Sequence, residues 1–406
     1  MPLWPLAYAT DYPTRFEEVT WDDANWRITT QNLEQGAFQP RMSLANGYLG
    51  INVAALGPFF EVDDPADGAI NGWPLFDRRQ TFATISGFWD QQTRTNGTNF
   101  AWLYEYDTGE SVISGVPHWS GLQPMVHGEV LGAGTPADEI SGFESTMDFK
   151  NGVLSWAYTW SPRHGAPIDI EYTMFVHKLY VNRAVVQLRM TSLTDANVTV
   201  IDILNGDNAL RTDPVGTQYG RSSSLIQSAV SPNGVPNVTA HIVSLVAPDS
   251  MTKVSHRRQF HDPNIIGGNA SSIAQALDVS VQGGSTAVLT KFVGGASTDA
   301  FSNPGTVAYD AAVKGAQMGY GESLKSHIQE WNSILTEDSV DSYHEPDGSL
   351  PDDPNVQELQ ITAITTPFQL LQQTIGANAI EAANNNTRLN TNSIAVGGLG
   401  SESYAG

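Results

Sequence analysis

From about Gly152 to Val293 apolar and polar residues alternate with a period of two, and no helix of convincing length interrupts them. Side chains on a strand point to opposite faces in turn, so the pattern describes half-buried strands. It opens with Leu154, Trp156, Tyr158 and Trp160 on one face against Val153, Ser155 and Thr159 on the other. Ile168, Ile170, Tyr172 and Met174 follow, then Ala184, Val186, Leu188 and Met190, then Thr199, Ile201 and Ile203, with Asn205-Gly206-Asp207 as a turn. Val279 and Val281 lead through Gly283-Gly284 to Ala287, Leu289 and Val293, a spacing that predicts a closing hairpin. Strands at short intervals without helices between them predict an antiparallel sandwich, not a parallel α/β sheet.

The flanks read differently. The first 150 residues are rich in Trp, Gly and Pro and predict long structured loops over the sheets. Near Pro304 the period changes: Leu324, Ile328, Trp331, Ile334 and Leu335 predict an amphipathic helix from about Glu322 to Leu335. After a turn-rich break, Asp353 as N-cap and Pro354 at the first helical position start a second helix. Its apolar face carries Val356, Leu359, Ile364, Phe368, Leu371 and Ile375, with Pro367 expected to kink it. Residues 377–406 are rich in Asn and Gly, so this face is expected to lack packing partners later in the chain.

Charge narrows the ligands. With 43 acidic against 20 basic residues in 406, the formal charge of −23 repels nucleic acid and anionic lipid, and favours a neutral ligand. Without Cys there are no disulfides, thiolates or cysteine-ligated zinc. His256 and His261 fit no zinc spacing and flank Arg257 and Arg258, so a surface loop without metal is expected there. Gly397-Gly398-Leu399-Gly400 lacks the Lys and Ser/Thr of a phosphate loop, and no cofactor is expected.

No apolar stretch reaches membrane-spanning length. Met1-Pro2-Leu3-Trp4-Pro5 has no basic n-region, and a leader missing from this sequence is expected. Sequons at Asn96, Asn197, Asn237, Asn269 and Asn385 suit an exported glycoprotein.

Glycosidic hydrolysis takes two carboxyl groups flanking the scissile oxygen. The adjacent pairs Glu17-Glu18, Asp22-Asp23, Asp63-Asp64 and Asp352-Asp353 diverge on strand or loop and read as solvated surface. Sugar recognition pairs aromatic faces with polar groups on loops, and three segments join them: Asn71 to Arg78, Ser86 to Asp90, and Pro117 to Leu122. Packing of those aromatics over the sheet is the plainer reading of each.

Asn46-Gly47-Tyr48-Leu49-Gly50-Ile51-Asn52, Gly57-Pro58-Phe59-Phe60, the Asn71 run, the segment ending at Asp90, Glu110 to Gly115 and His118-Trp119-Ser120-Gly121-Leu122 together resemble the N-terminal part of the fungal acid trehalases of glycoside hydrolase family 65. Ile394 to Leu399 and Ser401 to Gly406 continue the resemblance. It implies a large antiparallel β-sandwich of the galactose-mutarotase super-sandwich kind over residues 1–300, a helical linker over 301–345, and over 346–406 the start of an (α/α)6 barrel. The family reaction it implies is inverting hydrolysis of α,α-trehalose to two glucose molecules, in an extracellular, cell-wall or vacuolar setting. No residue here matches the barrel's acid or base, so a catalytic barrel is the expected missing partner and the chain alone is expected to be inactive. Trp89, Asp90, His118 and Trp119 are the implied substrate contacts on the rim. A stand-alone carbohydrate-binding or structural sandwich is the alternative.

Overall fold

A computed structural model describes residues 11–36, 42–63, 79–91, 111, 113–220 and 224–389. The Asn71 run, Glu110, Val112, Asn96, Asp64, Gly397 to Gly400 and the motifs after Ile394 lie outside the described residues. The chain opens with three short strands, β1 (Asp11–Pro13), β2 (Val19–Asp22) and β3 (Arg27–Thr30). A separate small sheet holds β4 (Ser43–Ala45), β5 (Leu49–Asn52) and β6 (Ala83–Ile85), and β7 (Leu122–Val126) turns back into β8 (Glu129–Val130). Then come β9 (Ile140–Asp148), β10 (Val153–Trp160), β11 (Ile168–Val176), β12 (Arg183–Thr191), β13 (Ala196–Leu204), β14 (Thr212–Tyr219) and β15 (Leu225–Pro232). Last are β16 (Ala240–Pro248), β17 (Lys253–Phe260), β18 (Ile273–Val281) and β19 (Thr286–Ser297). The helices are α1 (Pro263–Ile266), α2 (Pro304–Ile334), α3 (Pro354–Gln372) and α4 (Ala377–Ala382).

Two antiparallel sheets form the sandwich. The larger runs β1-β2-β3-β9-β10-β11-β12-β19-β16-β15-β14, the smaller β17-β18-β13-β7-β8. β10 buries Leu154, Trp156, Tyr158 and Trp160 and turns Val153, Ser155, Ala157 and Thr159 outward, as its alternation predicts. Farther along the large sheet the alternation vanishes: β12 and β19 are buried on both faces because α2 lies across β12, β16 and β19.

The expected hairpin at Gly283-Gly284 is not one. β18 pairs with β13 and β17 in the small sheet, while β19 pairs with β12 and β16 in the large one, so the glycine turn carries the chain across the sandwich. Alternation sets which face of a strand is buried; it does not set which sheet the strand joins. Nor does β17 form a surface loop at His256, which stands on that exposed edge strand, with Arg258 paired to Asp278 of β18 at 2.5 Å.

α2 starts at Pro304, far ahead of the expected Glu322, and breaks at Gly319, whose φ of 77° is outside the helical region. Its first half buries Ala308, Ala311, Ala312 and Gly315. These small residues let the helix sit directly on β19, where a Cβ on Gly294 would collide with the Ala308 carbonyl. The second half docks on the β9–β10 turn: the His327 ring nitrogen Nε2 donates to the Gly152 carbonyl at 3.0 Å.

α3 begins as expected, with the Asp353 carboxylate accepting from the Asn355 amide at 2.9 Å, and continues through Pro367. The expectation that its apolar face lacks partners is overturned for Ile364, Phe368 and Ile375. Leu359, placed on that face by its spacing, is exposed because the first turns bury Gln357 and Gln360 instead. Phe368 is fully buried, stacked on Trp331 at 4.7 Å and edge-on to Phe149 at 5.2 Å, with Ile364 buried beside it. Its C-terminal carbonyls are capped by Lys178, whose Nζ donates to Leu371 at 2.6 Å and Thr374 at 2.7 Å. Burial draws the Lys178 amine down to about 7, with the Glu330 carboxylate opposing. These partners of α3, Phe149, Lys178 and Trp331, all precede it in the chain.

Candidate functional site

The Asn46-to-Asn52 segment turns out to be a clamp. The Asn46 amide donates to the carbonyls of His177 and Val181, both at 2.9 Å, while its oxygen accepts from the backbone of Tyr48 and Leu49. Gly47, at φ 89°, lies against the Thr374 backbone, so a side chain there would strike the end of α3. The Ala45 amide donates to Gln372 of α3 at 3.0 Å. The segment thus ties the β11–β12 turn to the helices.

The four sequence-derived substrate residues fall in two places. Trp89, bridged to Ile113, is 36% exposed, whereas Asp90 beside it is 2% exposed and accepts from Arg211 at 3.3 Å. His118 and Trp119 are interior. The His118 Nε2 donates to the Asn52 carbonyl at 3.0 Å, its backbone pairs both ways with Asn205, and burial drags its pKa down to about 3. Trp119 has no exposed surface. Of the four, Trp89 alone presents a ring to solvent; Asp90, His118 and Trp119 are buried.

His118 stands one layer behind an open cleft of about 920 Å³, because Phe60, 5.5 Å from its ring, lines that cleft. The β7–β8 hairpin, Arg163, Asn205, Asp207 and α1 complete the walls. Its carboxylates are engaged. The Arg163 side chain donates to Glu139 at 3.0 Å and the Arg163 amide to Glu129 at 2.9 Å. Asp207 accepts from the amides of Gly268 and Asn269, and Glu61 from that of Gly36. Burial pushes Glu139 upward, but hydrogen bonds with Arg163, Glu129 and Trp160 together with the Arg163 charge outweigh it and hold the carboxyl below its ordinary range. A general acid needs the opposite displacement. Asp299 is lifted by burial, against the pull of Arg388, yet it sits beside Gly87 and is not among the residues lining the cleft.

The adjacent acids serve as structure or surface. Asp23 accepts from the Trp21 indole at 3.1 Å and meets His344 at 2.6 Å, Asp63 pairs with Arg79 at 2.9 Å, Asp353 caps α3, and Glu17 and Glu18 are exposed. Among the described residues no cluster of His, Asp and Glu is arranged to hold a metal ion.

One buried constellation escapes sequence reasoning. Asp202 of β13 and Lys291 of β19 meet between the two sheets at 2.7 Å, both fully buried. Asp202 also accepts from Ser244 and Gln275, and Lys291 donates to the carbonyls of Gly121 and Ile203. Burial pulls the Lys291 amine below its ordinary value, with Asp202 opposing. The signal was available for Asp202, which interrupts the apolar run Val200-Ile201-Asp202-Ile203, and weaker for Lys291, which follows the polar Thr290. The inward face of β13 is Val198, Val200, Asp202 and Leu204, while Ile201 and Ile203 point to a separate cluster with Ile266 of α1.

Residues 28–334 match the N-terminal domain of glycosyl hydrolase family 65. The chain is 48% identical over 399 residues to the cell wall acid trehalase of Arthroderma benhamiae, covering 97% of this chain and 37% of that protein. It is likewise 48% identical to the acid trehalase of Emericella nidulans, and 26% identical to the cell wall acid trehalase of Candida albicans, covering 38% and 33% of their lengths. It therefore spans little more than a third of these relatives. A solved protein from the human microbiome, assigned as a kojibiose phosphorylase, superposes with a TM-score of 0.64 at 12% identity over 90% of this chain and 43% of its own, a likeness of fold.

Proposed function

Since the chain belongs to glycosyl hydrolase family 65 through that family's N-terminal domain, we propose that it is the sandwich portion of an acid α,α-trehalase that hydrolyses trehalose to two glucose molecules with inversion. The observation that carries this reading is the identity to fungal acid trehalases along nearly the whole chain. Inversion needs two carboxyls roughly 6.5–9.5 Å apart, one of them held protonated. The cleft carboxylates, tied to Arg163 and to backbone amides, are poor candidates for that pair. The reading therefore gives the chemistry to residues outside the described sandwich, and gives the sandwich the work of a scaffold and rim. Trp89 is its direct substrate contact; Asp90, through Arg211, and the buried His118 and Trp119 are positioning residues. The names of the relatives, and the exposure of Asn197, Asn237, Asn269 and Asn385, support export as a glycoprotein.

A chimera tests it. Replacing the matching stretch of the Emericella nidulans acid trehalase with this chain should preserve glucose release from trehalose, and Trp89→Ala in that chimera should raise KM more than it lowers kcat. A chimera that melts cooperatively but releases no glucose overturns the reading. A second reading, sugar binding by the chain itself, draws on the half-buried Phe60 in the open cleft. Calorimetric heat with trehalose that disappears in Phe60→Ala supports it; no heat removes it.

A further inference from the structure

A second cavity, of about 550 Å³, lies between the β11–β12 turn, the first half of α2 and the stretch from α4 to Arg388. It shares no lining residue with the cleft at Phe60. Arg183, the first residue of β12, lines it, with its guanidinium 4.1 Å from the Tyr180 ring centroid, so a ring covers one side of the group. Its Nη1 is buried and meets no hydrogen-bond acceptor among the described residues. Burial lowers the Arg183 pKa, opposed only by Tyr180, the reverse of what a paired guanidinium experiences. Lys314 and Arg388 line the same cavity, and Arg388 is held by the carbonyls of Thr298 and Asp299 at 3.2 and 3.4 Å. Among the described residues, three basic side chains thus line one cavity beside a single acid, Asp310, in a chain whose acids outnumber its bases 43 to 20.

An unpaired buried N–H donor beside two further cations is an unfinished hydrogen-bonding set, and an oxyanion completes it. The apolar floor around Phe301 leaves room for a small body carrying that anion. We propose that this cavity binds a phosphate or carboxylate group of a small soluble molecule, with Arg183 as the central donor and Lys314 and Arg388 on the rim. The site stands apart from the trehalase reading and does not depend on it.

Thermal unfolding and calorimetry of the 406-residue chain with inorganic phosphate, citrate or glucose 6-phosphate, against sodium chloride at matched ionic strength, test the proposal. A saturable rise in Tm with heat of binding is expected from at least one of the three, and citrate against phosphate tells the two anion classes apart. Lys314→Gln, at an exposed position, should weaken binding about threefold, and Arg183→Leu should abolish it. No binding by any of the three, a Tm rise matched by chloride, or binding unchanged in Lys314→Gln each overturns the proposal, whether or not Arg183→Leu folds.

Discussion

Asp202 and Lys291 face each other across the middle of the sandwich with every charged atom engaged, and their worth lies in what happens when one is removed. Lys291→Met leaves a buried carboxylate without its counter-ion and should cost about 3–5 kcal/mol in denaturant unfolding. The double variant with Asp202→Asn should cost less than the sum of the single losses. Additive losses would show that the ions are not coupled. His118 and His327, both buried and drawn to about 3, predict a pH dependence. Each stays neutral in the folded chain below pH ~6.5 but takes up a proton on unfolding, so stability falls as pH falls from about 6.5 towards 3, by about 1.4 kcal/mol per unit and per histidine. His327→Gln should flatten that slope between pH 6 and 4; an unaltered slope contradicts the assignment. Little of this was legible beforehand. Aromatic, turn-forming and polar residues in one segment mark His118-Trp119-Ser120 as a binding loop or a packed wall alike, and only burial separates the two.

At the scale of elements, α3 tests how far local pattern reaches. Its start was readable from Asp353 and Pro354, and its buried face from the spacing of Ile364 and Phe368. Its partners were not, because Phe149 and Trp331 come from a strand end and from another helix earlier in the chain. Phe368→Ala should therefore destabilise the whole fold by about 3–5 kcal/mol. Limited proteolysis should leave residues 354–372 intact in the parent chain and expose them in the variant; rapid cutting there in the parent would contradict the docking. β9 fell in the stretch expected to be loops, whereas β10 and β11 were legible because each has one clear inner face. The first half of α2 was not, since alanine and glycine carry almost no periodic apolar signal, and the β18–β19 crossing was misread because a glycine turn looks alike within a sheet and between sheets.

Taken as a molecule, the chain is a two-sheet sandwich braced on the outside of its large sheet by α2, with α3 locked in place by Lys178, Gln372 and Phe368. That bracing suits the scaffold role proposed for it, and the cleft carboxylates Glu129, Glu139 and Asp207 are each held by hydrogen bonds. Four exposed sequons predict that a fungal host will glycosylate the chain when it is secreted, so enzymatic removal of N-glycans should shift its mobility on a gel; no shift contradicts export as a glycoprotein. The most direct measurement is glucose release from trehalose by the purified 406-residue chain, under conditions where it unfolds cooperatively. A folded protein with no release above the uncatalysed background is expected, and sustained turnover by that chain would contradict a catalytic pair lying outside the sandwich.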